Sequence, residues 1–136
     1  MRSIFFTLTG LLFSLTVERY FMTIEEIQLI CKKYPGVTQD IKWADHLCFN
    51  VGGKMFLITA PDQVPCSASI KVAEENFDEI AAREGFMPAP YLARYKWVWM
   101  DDIRRLSRKE WEACIDTAWH LVASRLPLKI KKKIGL

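Results

Sequence analysis

The chain has 136 residues, enough for one domain and too few for two independent cores. Hydrophobic residues make up 51% and charged residues 26%, which excludes wholesale disorder, and six Gly with six Pro exclude a collagen-like or linker composition. A net charge of +3 permits an anionic partner without demanding one.

The first stretch, Met1 to Phe21, opens on Arg2 and continues into the apolar run Ile4 to Val17. A charged start ahead of an apolar run mimics a secretory signal. The run is nevertheless shorter than the ~20 residues a membrane-spanning helix needs, and its nearest cleavage site, Ser14-Leu15-Thr16, is a poor one. Three readings stand: a start mis-assigned ahead of Met22 or an appended segment, a signal or anchor, or a structural element. The domain proper is taken as 22–136.

Thr23 with Glu26 three residues on forms a capping box, in which hydroxyl and carboxylate satisfy orphan helix N–H groups reciprocally. Ile24, Ile27, Cys31 and Tyr34 repeat at helical spacing until Pro35-Gly36 stops the helix. Leu47, Phe49 and Val51 alternate as a strand, Gly52-Gly53 makes a two-residue hairpin turn, and Lys54 to Thr59 returns. Pairing Val51 with Lys54 sets Phe49 opposite Phe56 and Leu47 opposite Ile58 on the core face. After a loop from Pro61 to Pro65, Ala68 to Val72 reads as a third strand. Glu74 to Glu84 reads as a helix stopped by Gly85, and Pro88-Ala89-Pro90 as a rigid loop. Tyr95 to Met100 alternates as a fourth strand, with Tyr95, Trp97 and Trp99 on one face and Lys96, Val98 and Met100 on the other. Ser107 with Glu110 is a second capping box, opening a helix that carries Trp111, Ile115, Ala118, Trp119 and Val122 up to Leu126, where Pro127 ends it.

Candidate chemistry is sparse. Cys31, Cys48, Cys66 and Cys114 are far apart with no CxxC, so a zinc site is disfavoured. Their apolar contexts favour free thiols in a reducing cytosol over the two disulfides of a secreted protein. His46 beside Asp45 has the makings of a general base, but a loop histidine near a carboxylate is ordinary surface, and His120 falls on the polar side of the last helix. Asp101-Asp102 suits either a cation or a solvated turn. Gly52-Gly53-Lys54 is too short for a phosphate loop, and no Ser, Cys or Lys sits in a nucleophile motif. The expectation is a non-enzymatic protein without cofactor or metal.

Basic residues are more informative. Arg125, Lys129, Lys131, Lys132 and Lys133 close the chain with no acid among them, so the remainder is net negative. Such a tail is either an arm that tracks phosphates or a solvated, frayed terminus. A second set, Arg94, Lys96, Arg104 and Arg105, brackets the aromatic strand. Cations interleaved with Trp97 and Trp99 are suited to gripping a nucleic-acid backbone and stacking bases, although one of the two tryptophans is expected in the core.

The span 22–136 resembles the MmcQ/YjbR family of small bacterial proteins. The resemblance is carried by Pro35-Gly36-Val37-Thr38, Trp43, Phe49-Asn50-Val51-Gly52-Gly53-Lys54-Met55-Phe56, Ala68-Ser69-Ile70-Lys71, Pro88-Ala89-Pro90-Tyr91-Leu92, Lys96-Trp97 and Leu126-Pro127, in the family's order. It implies an α+β frataxin-like two-layer sandwich and DNA binding through a double-wing arrangement of hairpins. Two features depart from the pattern. Ala118-Trp119 stands where the family often shows Ser-Tyr. Glu25 and Glu26 are followed by Lys32 and Lys33, so the acidic ridge that iron binding would need is missing.

The combined expectation is a twisted antiparallel sheet of four to five strands with helices on one face. It is a cytoplasmic, monomeric DNA-binding module of weak sequence preference, with no membrane contact for the domain proper. Lys54, Lys71, Arg94, Lys96, Trp97, Lys129, Lys131, Lys132 and Lys133 would make the contact. The alternative is a protein- or small-ligand-binding module with no nucleic-acid contact. Because both capping boxes and all core stripes lie downstream of Phe21, deleting residues 1–21 should leave the melting temperature nearly unchanged. A large drop in a thermal melt would show that the apolar run packs into the fold.

Overall fold

The computed structural model describes residues 21–136, so the expectations for the apolar N-terminal run lie outside the described residues. The elements are α1 (Ile24–Lys32), β1 (Val37–Lys42), β2 (His46–Val51), β3 (Lys54–Ala60), β4 (Ser67–Lys71), α2 (Phe77–Ala81), β5 (Phe86–Pro88), β6 (Trp97–Met100), α3 (Arg108–Ala123) and α4 (Leu128–Lys133). Short 3-10 turns occupy Glu74–Asn76, Ala93–Tyr95 and Ile103–Arg105. The strands form one antiparallel sheet of six in the order β1-β2-β3-β4-β6-β5. The fold is α+β as expected, and the sheet has six strands where four to five were expected; β1 and β5 add to the four strands traced along the sequence.

Both additional strands are edges, and their composition hides them. β1 (Val-Thr-Gln-Asp-Ile-Lys) is mostly exposed and lacks apolar alternation, while β5 is three residues long and ends in Pro88. Charged, short and proline-bearing edges resist pairing with other chains.

The main core lies between one sheet face and the helices. Phe49, Phe56, Leu57, Ile70, Val98 and Met100 from the sheet meet Ile27, Ile30, Trp111, Ile115 and Ala118 from α1 and α3. Trp111 is fully buried, and its indole Nε1 donates to the Ile103 carbonyl at 2.8 Å, so its one polar group is satisfied. A smaller cluster of Cys48, Ile58, Ala89 and Trp97 lies on the opposite, open face. Trp97 is buried there and Trp99 half-buried beside it, so neither belongs to the core under the helices. Tyr95 leaves the expected strand for the turn that precedes it.

Three local expectations are corrected. First, the β2–β3 register shifts at a bulge: Val51 pairs with Lys54 as expected, but Phe49 pairs with Leu57 and Leu47 with Thr59. The extra residue, Phe56, turns inward with Leu57, so both remain fully buried. Second, the helix expected from Glu74 to Glu84 contracts to a 3-10 turn and the short α2. Third, the capping box of α3 is complete, with Ser107 and Glu110 bonded reciprocally, whereas that of α1 closes on one side only. Thr23 Oγ1 accepts from Glu26 N at 3.2 Å, while the Glu26 carboxylate reaches Arg108 at 2.6 Å and ties α1 to the start of α3.

The four thiols are free; Cys31 and Cys48 are buried, Cys66 and Cys114 half-buried. Burial pushes the Cys31 thiol up to about 12 and raises the other three as well, so all four behave as protonated, weakly polar packing groups. Among the described residues no helix is long and apolar enough to cross a membrane.

The basic tail is a helix rather than a frayed arm. α3 stops at Ala123, short of the expected Leu126, and Pro127 precedes α4, whose Ile130, with Ile134 just beyond it, packs on the main core. Ile130 presses on Gly52: a Cβ there would lie 2.9 Å from Ile130 Cγ2 and 2.7 Å from Leu126 Cδ1, whereas a Cβ at Gly53 would meet nothing within 4 Å. Both glycines have positive φ, +57° and +82°. Gly53→Ala should therefore cost about 1–2 kcal/mol, from backbone strain alone. Gly52→Ala should add about 1–3 kcal/mol of overpacking. Equal losses in urea denaturation would show that the C-terminal segment does not bear on the turn.

Candidate functional site

Antiparallel pairing brings the start of β3 and the end of β4 to the same end of the sheet, beside the C-terminal end of α3. Lys54, Lys71 and Arg125 converge there on a groove of about 470 Å³, walled by Tyr95 and Trp97 and by Val122, Leu126 and Pro127. No carboxylate lines it. Among the described residues none of the three cations has an ion-pair partner, although Arg104 and Arg105 nearby in sequence do.

Lys71 sits directly across from Trp97 in the β4–β6 ladder, and its ammonium donates to the Tyr95 carbonyl at 2.7 Å. Burial, then the neighbouring Arg125 charge, holds Lys71 below the ordinary lysine value of 10.5. Two cations are thus held near each other with no anion among the described residues paired to either. That arrangement is poised for an external anion.

The other expected site residues distribute unevenly. Arg94 stacks on the Tyr95 ring at 4.8 Å and donates to its hydroxyl at 2.8 Å, one residue back from the groove wall. Lys96 takes a left-handed backbone, φ 64°, and its ammonium lies over the Phe77 ring at 4.9 Å, away from the groove. Lys129, Lys132 and Lys133 are exposed and Lys131 half-buried on α4, which begins next to Pro127. Trp97 is too buried to offer a ring face for stacking, so it serves as a wall. Arg104 and Arg105 are neutralised: Arg104 binds the Asp102 carboxylate at 2.8 Å and Arg105 binds Asp101 at 2.9 Å. These arginines hold both aspartates below the usual carboxylate range.

Of the histidines, His46 Nδ1 lies 2.7 Å from Asp45 Oδ1, and His120 is exposed on α3. Among the described residues no three His, Cys, Asp or Glu side chains gather as a metal set. Arg125 is the groove residue that its grouping with the tail concealed. It falls on the helical stripe of Ala118 and Val122, so the period alone places it at the end of the buried face.

Fold and groove define a small α+β domain with a cationic cleft at one end of its sheet. The chain belongs to the YjbR family, whose model matches residues 32–121. It is similar in structure to the Deinococcus radiodurans protein DR2400, with domain DUF419, at 21% identity and a TM-score of 0.75, over 85% of this chain and 90% of that one. It is also similar to a protein from Pseudomonas syringae, structural-genomics target PsR293, at 18% identity and a TM-score of 0.59, over 74% of this chain and 98% of that one. Comparison with curated proteins gives no match.

The depressed Lys71 value sets a pH dependence. Between its folded value and 10.5 the unfolded chain holds the proton and the folded chain does not, so stability rises with pH across that window. Below the window the charge is borne in both states and its cost is fully present. Wild type should therefore gain stability relative to Lys71→Met as pH rises toward 10.5 in paired urea denaturations. A stability gap that is constant with pH would mean that Lys71 carries no electrostatic cost.

Proposed function

We infer that this domain is a non-enzymatic, cytoplasmic DNA-binding module that holds phosphates in the groove of Lys54, Lys71 and Arg125. The lysines of α4 extend the contact. The observation carrying this reading is the convergence of three cations on one groove with no carboxylate in its lining. Phosphate oxygens are the common ligand of such clusters, and they supply affinity without sequence information. Weak sequence preference follows. A net charge of +3 is small, and among the described residues no helix presents the paired Arg or Asn residues that read base edges.

Membership of the YjbR family supports this reading only through the double-wing hairpins that the sequence resemblance implies. In the structure the β2–β3 turn is the hairpin nearest the groove, since Gly52 abuts Leu126 and Lys54 follows directly.

The test is a titration of fluorescent duplex and single-stranded DNA at several salt concentrations. For duplex DNA, log affinity falls with log salt by about 0.9 per neutralised phosphate. Changing Lys129, Lys131, Lys132 and Lys133 together to Gln should flatten that slope by about two or more and weaken all sequences alike. Changing Lys54, Lys71 and Arg125 to Gln should also alter the footprint, because these side chains sit on rigid elements and set orientation. Absence of binding at ~50 mM salt, or binding indifferent to salt, overturns the DNA reading and leaves a protein- or small-ligand-binding module.

A further inference from the structure

The open face of the sheet carries a second concavity, of about 490 Å³, that the phosphate reading does not use. Met55 and Ile58 lie along it, Trp43 and Tyr91 stand at its sides, and His46 and Ser69 supply polar atoms. The volume is in the range of small-ligand pockets, and the mixture of apolar walls with a few polar groups is typical of them.

Three observations say what it takes. The first is exposure: Trp43 is 63% and Tyr91 98% exposed, so two large rings meet solvent where burial would favour them. The second is backbone strain. Trp43 (φ 52°) and Tyr91 (φ 66°) both occupy the left-handed region, where glycine is the cheap choice and bulky residues are outliers. Strain of this kind concentrates at ligand sites. The third is continuity with the cationic groove. Met55 lines both cavities, and Ser69 in the pocket lies two residues from Lys71 in the groove on one face of β4. Two residues of strand span about 7 Å, a gap that one sugar bridges between phosphate and base.

We propose that this pocket receives an unstacked nucleobase of the strand whose phosphates lie in the groove. Trp43 and Tyr91 supply ring faces, and the His46 ring and Ser69 hydroxyl meet the polar edge of the base. Because every base has a π-face, such a pocket binds unpaired bases with little regard to identity. The proposal rests on the phosphate reading of the groove.

The experiment compares three labelled probes: a fully paired duplex, the same duplex with one unpaired thymine, and the same duplex with an abasic site at that position. Wild type should bind the unpaired-thymine probe about tenfold more tightly than the other two, as stacking of one base on aromatic side chains predicts. Trp43→Ala combined with Tyr91→Ala should abolish that preference and retain affinity for the fully paired duplex, with an unchanged melting temperature because both rings are exposed. Trp43→Gly, which suits the left-handed backbone, gives a second variant free of added strain, and should also weaken the preference. Lys71→Gln should weaken all three probes together. Equal affinity for the three probes in wild type, or a preference that survives the aromatic variants, overturns the nucleobase pocket alone. If none of the probes binds, the phosphate reading falls and the pocket assignment with it.

Discussion

A missing Cβ at Gly52 governs the C-terminal third of the molecule. Leu126 and Ile130 close over that turn to distances that any side chain at Gly52 would violate, and Ile134 closes over Gly36 in the same way. The turn itself requires positive φ, so glycine satisfies the backbone and the packing at once. The consequence is positional. With Leu126 locked on the β2–β3 turn, Arg125 is held at the groove formed by Lys54 and Lys71, and α4 begins within the same wall. Without that lock the last basic residues would be a solvated tail.

Holding three cations together needs local compensation. The C-terminal end of α3 carries the partial negative charge of its helix dipole, and cations near such an end are stabilised. The Tyr95 carbonyl takes the Lys71 ammonium directly. Neither partner removes a full charge, unlike the carboxylates that neutralise Arg104 and Arg105 within four residues of sequence. The same residue type therefore has two fates. At the strand end after β6 the arginines are structural, tying down a 3-10 turn in which the Arg104 N–H donates to the Asp102 carboxylate. At the end of α3 the arginine has no ion-pair partner among the described residues.

Much of this was legible in the sequence because apolar period and cap chemistry agree there. The α3 stripe of Trp111, Ile115, Ala118 and Trp119 and the Gly52-Gly53 turn sit where their patterns place them, and the family resemblance holds over residues 32–121. The failures share a cause. β1 carries Thr38, Gln39 and Asp40 because an edge strand exposed to water needs no apolar alternation. α4 is too short and too basic to register as a helix, and its packing residues Ile130 and Ile134 look incidental until Gly52 and Gly36 are placed against them. Lys54, Lys71 and Trp97 were recognisable as candidates by type, but their meeting with Arg125 depends on strand order, which no local pattern encodes. Lys96 lies outside this groove for a different reason: its left-handed backbone removes it from the strand alternation.

The bulge at Phe56 then explains why one sheet can serve core and surface together. Strict alternation along β3 would put Met55 and Leu57 on one face and Phe56 and Ile58 on the other. The extra residue breaks that parity: Phe56 and Leu57 both turn to the helices, while Met55 and Ile58 both remain on the open side. A regular strand would have lost either a buried aromatic or half of the open-face floor. Across β4 and β6 the alternation resumes, which places Ser69 opposite Trp99 and Lys71 opposite Trp97. The open face therefore changes character along the strands, from apolar toward Trp43 to cationic toward Gly52. The irregularity that defeats a simple register argument is the one that builds this gradient.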